Sequence, residues 1–112
     1  MSTIFTKIIN KEIPADIVYE NDYVLAFKDI NPLAPVHILV IPKKEIATLN
    51  DITPEDKNLI GEIFLAIQKI TKDLGIDKDG YRVVANCNEN GGQEVFHLHY
   101  HILGGRKLKT EV

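Results

Sequence analysis

Three of the four histidines in this 112-residue chain stand at alternate positions of one heptapeptide, His97-Leu98-His99-Tyr100-His101-Ile102-Leu103. Imidazole titrates close to neutrality, so such a row offers a nucleophile, a proton donor or a metal ligand at physiological pH. Side chains alternate along a β-strand, which puts His97, His99 and His101 on one face and Leu98, Tyr100 and Ile102 on the other. The apolar set belongs to a core. The histidine set then faces an opening or a neighbour, a better account of the pattern than neutral surface residues.

Two chemistries fit three convergent imidazoles. Three ring nitrogens and a water make a catalytic zinc site, but no acid adjoins the strand to orient them, apart from Glu94 at the opposite parity. The second chemistry is nucleophilic and acid–base work by imidazole itself. The loop before the strand favours it. Gly91 and Gly92 allow close backbone approach and an anion nest, while Asn86 and Gln93 add neutral donors. Donors beside a row of imidazoles suit a phosphoryl group better than an ion, so no metal and no cofactor are expected.

The elements that must position these residues follow from local signals. Ile4 to Ile9 reads as a short helix after Ser2 or Thr3, ended by Pro14. Ile17-Val18-Tyr19 and Tyr23 to Phe27 are β-rich runs around a turn at Glu20-Asn21-Asp22. A rigid loop, Asn31-Pro32-Leu33-Ala34-Pro35, precedes a nearly continuous apolar strand from His37 to Ile41, closed by Pro42. Thr53-Pro54-Glu55-Asp56 opens one long helix. Its core face is Leu59, Ile60, Ile63, Phe64, Ile67, Ile70 and Leu74, and Gly75 stops it. Tyr81 to Ala85 and His97 to Leu103 are the last two strands, the latter ended by Gly104-Gly105. Strands that follow one another without long crossovers predict an α+β domain, a five-stranded antiparallel sheet with one long and one short helix, spanning residues 1–112.

Bulk properties narrow the class. A net charge of −3, with basic residues clustered only at Arg106-Lys107-Leu108-Lys109, gives no basic face for nucleic acid. That cluster reads as a solvated tail. One cysteine, Cys87, allows no intramolecular disulfide and suits a reducing compartment. Lys7 interrupts the apolar start, so no secretory signal is read there, and no apolar run approaches the length a bilayer requires. A cytoplasmic protein without membrane contact is expected.

The heptapeptide also matches the pattern His-φ-His-φ-His-φ-φ, with φ apolar, and the chain resembles the histidine-triad nucleotide-binding proteins of the Hint branch. The resemblance runs over roughly residues 3 to 106. It includes Thr3-Ile4-Phe5, Lys7-Ile8-Ile9, Lys11-Glu12-Ile13-Pro14-Ala15, Ala34-Pro35 with His37, Ile41-Pro42-Lys43-Lys44 and Gly91-Gly92-Gln93. It implies a homodimer with a ten-stranded sheet across its interface, binding purine nucleotides of the AMP or GMP type. It further implies hydrolysis of the bond between a nucleoside 5′-phosphate and an amine. His99 becomes the nucleophile, with His97, His101 and His37 orienting it and handling protons. Asn86, Gly92 and Gln93 hold the phosphate; Ile4, Phe5, Phe27, Asp29 and Ile30 form the nucleoside pocket, the acid taking the ribose hydroxyls.

By themselves, His37 reads as a satisfied core histidine, Asp29 as a strand-end acid, the four apolar pocket residues as core, and Cys87 as a loop bystander. Glu94 stands where the branch often has serine, and strand parity is expected to turn it outward. Two alternatives accompany the phosphoramidase reading. One is a nucleotide-binding regulatory module with incidental slow hydrolysis; the other is a dinucleoside polyphosphate hydrolase.

Overall fold

Val24–Lys28 and Val36–Pro42 are apolar at nearly every position because both of their faces are covered. In the computed structural model, which describes residues 2–110, they are β2 and β3 of a five-stranded antiparallel sheet. Met1, Glu111 and Val112, the ends of the expected domain and its tail, lie outside the described residues. The other strands are β1 (Ile17–Glu20), β4 (Arg82–Val84) and β5 (Tyr100–Gly104), in the spatial order β1-β2-β3-β5-β4. The short helix α1 (Ile4–Ile9) and the long helix α2 (Lys57–Asp73) complete the expected α+β architecture.

Alternation sorts the strand residues into two cores. Val24, Ala26, Ile38, Val40, Tyr100 and Ile102 join Ile63, Ala66, Ile67 and Ile70 of α2. On the opposite face Leu25, Phe27, Leu39 and Ile41 meet Phe5 and Ile8 of α1. Each fully buried aliphatic side chain here is worth roughly 1.5–3 kcal/mol relative to exposure. His37 shares the parity of Leu39, and His101 that of Leu103, so the sheet presents both histidines on the α1 side.

Local signals set the element ends. Thr3 caps α1, its hydroxyl accepting from Phe5 and Thr6. The helix covers Ile4–Ile9 as expected, but it is stopped by Asn10 as C-cap and by Lys11 at φ +61°, not by Pro14. Asn21 Oδ1 accepts from the amides of Tyr23 and Val24, which closes the β1–β2 turn. Pro54–Asp56 forms a 3₁₀ turn instead of the first turn of α2, because Asp56 folds back onto the Thr53 N–H and is also held by Lys44. Gly75, at φ +73°, follows the C-terminus of α2 as expected.

Two expectations need correction. Phe64 and Leu74 are 47% and 44% exposed, because the buried stripe is centred on Ile63, Ile67 and Ile70, and Ala66 takes a place in it. The final strand starts at Tyr100, not His97. Residues 97–99 are docked instead on the segment after β3, with the Leu98 N–H donating to Ile46 O at 2.6 Å. The strand runs one residue further than expected, to Gly104. Gly105 then passes so close to the Pro35 loop that a Cβ placed on it would lie 2.9 Å from Pro35 Cβ.

Candidate active site

The alternation that sorts the core also assembles the histidines. Leu98, Tyr100 and Ile102 lie in the α2-side core, and the three alternate histidines point away from it. His37 on β3 is opposite Leu103, and His101 on β5 is opposite Leu39, so the two histidines are diagonal neighbours. His37 Nε2 lies 2.9 Å from His101 Nδ1. The rings of His99 and His101 are 5.1 Å apart. Phe5 of α1 stands edge-on to His99 at 5.1 Å, to His97 at 6.2 Å and to Phe27 at 5.5 Å.

Backbone groups fix which nitrogen of each ring carries hydrogen. A carbonyl oxygen can only accept, so His99 Nδ1, 2.7 Å from His97 O, is a donor. In the neutral ring that leaves His99 Nε2 with a free lone pair. His97 Nε2 donates in the same way to Pro42 O at 2.7 Å. His37 is the reverse case: the Leu33 N–H donates to its Nδ1 at 3.1 Å, so its hydrogen sits on Nε2. There it faces two acceptors, His101 Nδ1 and, at 3.5 Å, Asp29 Oδ2. His101, accepting at Nδ1, carries its own hydrogen on Nε2.

Burial holds all four rings neutral at pH 7. It lowers the pKa of His37, of His97 and of His99, against weaker raising effects that include Asp29 on His37 and on His99. His101 is pushed furthest, to about 4, by burial and then by the two neighbouring histidines. Glu94 is exposed, yet its charge acts on His99. The expectation that it points clear of the site is therefore only half met.

Asp29 overturns the expectation that no acid adjoins the histidines. Its carboxylate and the two rings of His37 and His101 bring one oxygen and two nitrogens within 4.8 Å of one another. The donor set still suits an ion poorly. A metal on His37 Nε2 would force the ring hydrogen onto Nδ1, against the Leu33 N–H. Ligating imidazoles are normally held the other way, with the second nitrogen donating to an acceptor.

The loop before the triad departs from its expected role. Gln93 is buried, and its Nε2 donates to Ala47 O at 2.8 Å and to Val95 O at 3.0 Å. Its Oε1 accepts from the Asn88 N–H at 2.9 Å. Both amide hydrogens are thus used inside the protein, and Gln93 ties the loop to the segment after β3. The N–H groups of Gly91, Gly92 and Gln93 are likewise taken by Asn88 and Glu89 carbonyls. Among the described residues no acceptor is found for the N–H groups of Glu94 and Val95. Gly92 is required by its φ of +76°, and Asn86 donates to Gly91 O at 2.7 Å. Sequence reasoning missed Ala47 and Leu33, whose contributions are main-chain atoms and leave no signal in residue type.

Of the expected nucleoside-pocket residues, Phe5 and Phe27 are buried beside the triad, and Asp29 reaches His37. Ile4 and Ile30 are 53% and 91% exposed, large apolar surfaces left open to solvent.

Residues 10–108 match the family model described as the HIT domain. A purine nucleoside phosphoramidase from Escherichia coli K12 is 53% identical over 106 residues, covering 95% of this chain and 89% of that protein. A histidine triad protein from Clostridium difficile superposes with a TM-score of 0.94 at 51% identity over the full length of both chains. A HIT family hydrolase from Legionella pneumophila Philadelphia 1 gives 0.95 at 47% identity, with 97% of each chain covered. With a family match over most of its length and relatives this similar, the chain belongs to the HIT-domain family.

Proposed function

We propose that this hydrolase is a purine nucleoside phosphoramidase, cleaving the bond between the phosphate of an AMP- or GMP-type nucleotide and an amine without a metal. The observation that carries this reading is the pair of contacts at Nδ1, a carbonyl for His99 and the His37 Nε2 for His101, which assigns a bare Nε2 to the first and a hydrogen on Nε2 to the second. The first is a nucleophile. The second faces outward from the His37 contact as a donor.

In this mechanism the Nε2 lone pair of neutral His99 attacks phosphorus as the P–N bond breaks, forming a nucleotidyl-histidine intermediate. The amine must leave with a proton, because an amide anion is too basic to depart. His101 is almost wholly neutral while its pKa is about 4. A phosphoryl charge about 5 Å away stabilises its imidazolium by about 3 kcal/mol at an effective dielectric near 20, enough to return it to the ordinary histidine range. Substrate binding thus arms its own proton donor. Water then cleaves the P–N bond to His99, returning a proton to the histidines and releasing the nucleotide.

For binding, the Glu94 and Val95 amides and Asn86 are the donors we assign to the phosphate, with Gly92 shaping the turn and Gln93 holding it. Asp29 takes the ribose hydroxyls, and Ile4, Phe5, Phe27 and Ile30 surround the purine, which would cover the two exposed isoleucines. A homodimer also belongs to this reading. Strand β4 lies at the edge of the sheet, and Phe64 and Leu65 of α2 are 47% and 59% exposed, so a second copy pairing there gives ten strands and buries both. The lone thiol, Cys87, fits the cytoplasm.

The decisive experiment is turnover of a radiolabelled adenosine phosphoramidate, with a base quench to preserve the phosphorus–imidazole bond. Label should be retained on His99, and kcat/KM should far exceed background. Tight AMP binding with background turnover would favour the regulatory module instead. Faster cleavage of dinucleoside polyphosphates would favour the other hydrolase.

A further inference from the structure

His37 is oriented from outside the histidine cluster. Its Nδ1 receives the main-chain N–H of Leu33, in the loop between β2 and β3. Few atoms are free to move in that loop, because Pro32 precedes Leu33 and Pro35 follows two residues later, each with a fixed φ. The Asn31 N–H is tied to Asp29 Oδ1 at 2.8 Å, and Arg106 donates to Leu33 O at 3.4 Å from the C-terminal segment. The Leu33 side chain is 72% exposed and does nothing for the core. What this residue supplies to the site is its peptide group.

We propose that Leu33 is a positioning residue acting through its main-chain N–H, which sets the tautomer of His37 and, through it, the direction of the hydrogen on His101. Three groups act in series. An N–H opposite Nδ1 bars a hydrogen there, since two donors would face each other. His37 must then present Nε2–H to His101 Nδ1, 2.9 Å away. His101 is left with its only hydrogen on Nε2, and Asp29 Oδ2, on the same side of His37 as His101, reinforces this arrangement. Without the Leu33 amide, His37 is free to take its hydrogen on Nδ1 and turn a lone pair toward His101. The hydrogen of His101 would then be drawn onto Nδ1, away from the leaving group.

The effect on turnover rests on the phosphoramidase reading, but the tautomer does not, so the two fail separately. Two-bond ¹⁵N–¹H correlations of the ¹⁵N-labelled protein at neutral pH report which nitrogen of His37 is protonated. In the unsubstituted protein the hydrogen should be on Nε2; finding it on Nδ1 overturns the proposal without any variant. Leu33→Ala keeps the N–H and should keep that pattern. Leu33→Pro removes the N–H and should give a mixed or inverted pattern at His37, with kcat about tenfold or more below that of Leu33→Ala and KM little changed. A folded Leu33→Pro protein with the original tautomer overturns the proposal. If Leu33→Pro does not fold, the spectrum of the unsubstituted protein decides alone. A changed tautomer with no change in kcat would leave the positioning intact and count against His101 as the proton donor.

Discussion

His99 and His101 are two residues apart on one face, yet they are held in opposite chemical senses. His99 gives its Nδ1 hydrogen to a carbonyl and keeps a lone pair on Nε2. His101 accepts at Nδ1 from another imidazole and keeps a hydrogen on Nε2. Residue type is the same in both cases, and the partner decides the role. A main-chain carbonyl leaves one histidine a lone pair on Nε2, and a neighbouring N–H leaves the other a hydrogen there.

Loss of the His99 lone pair should matter most. His99→Ala should lower kcat by about 10⁴-fold or more and leave AMP affinity nearly intact, measured by titration calorimetry. Turnover close to that of the unsubstituted protein would remove His99 as the nucleophile. Changing the donor should cost less. His101→Ala is expected to lower kcat by about 10²-fold for an alkylamine leaving group, and by much less for one that departs readily as an anion. An equal loss for both classes would deny His101 a proton-transfer role.

The pH profile reads the same lone pair. Burial holds His99 below 6.5, so its neutral form persists as the pH falls through that value. The acid limb of kcat/KM should therefore lie below pH 6.5, and a midpoint at or above it would contradict the buried, neutral nucleophile.

Smaller effects test the supports. Gln93→Leu leaves Ala47 O, Val95 O and Asn88 N without their partner. At about 1 kcal/mol or more for each buried group, it should lower Tm by several degrees and kcat/KM by about tenfold. An unchanged melting curve would show that the glutamine holds nothing. Glu94→Ser removes a negative charge acting on His99. It should raise kcat/KM only a few-fold, because the carboxylate is exposed and screened; a fall would point to a role with cationic leaving groups. Exhaustive chelation should change the rate not at all, and zinc-dependent recovery would reverse the metal-free reading.

Much of this was legible in the chain because it depends on period and parity. Alternation alone put His97, His99 and His101 on one face, and the apolar repeat with Gly75 after it located α2, although Thr53 and Pro54 open a 3₁₀ turn ahead of that helix. The rest depends on groups distant in sequence. Asp29 meets His37 only because β2 and β3 pair in one register, with the Asp29 N–H donating to His37 O. The residues from His97 to His99 leave the ladder because carbonyls of Pro42 and Ile46 capture them, and a carbonyl has no signature in the sequence. Gln93 is the clearest case. A polar side chain beside glycines suggests a ligand donor, while its burial and three internal bonds show a cross-brace.

Gly105 limits how this sequence can drift. Its φ of +90° suits no L side chain, and a methyl group there would press on Pro35 at 2.9 Å, so two independent barriers guard one position. Strain in such a backbone region alone is about 1–3 kcal/mol. The collision adds to it and pushes on the loop that carries Leu33. Variation near the C-terminus is therefore expected to be tolerated least at this residue, and the next one still touches the same loop, with Arg106 donating to Leu33 O. Side-chain identity is freer from Lys107 on, since Arg82 holds this segment by a main-chain oxygen, that of Lys109, which any residue supplies.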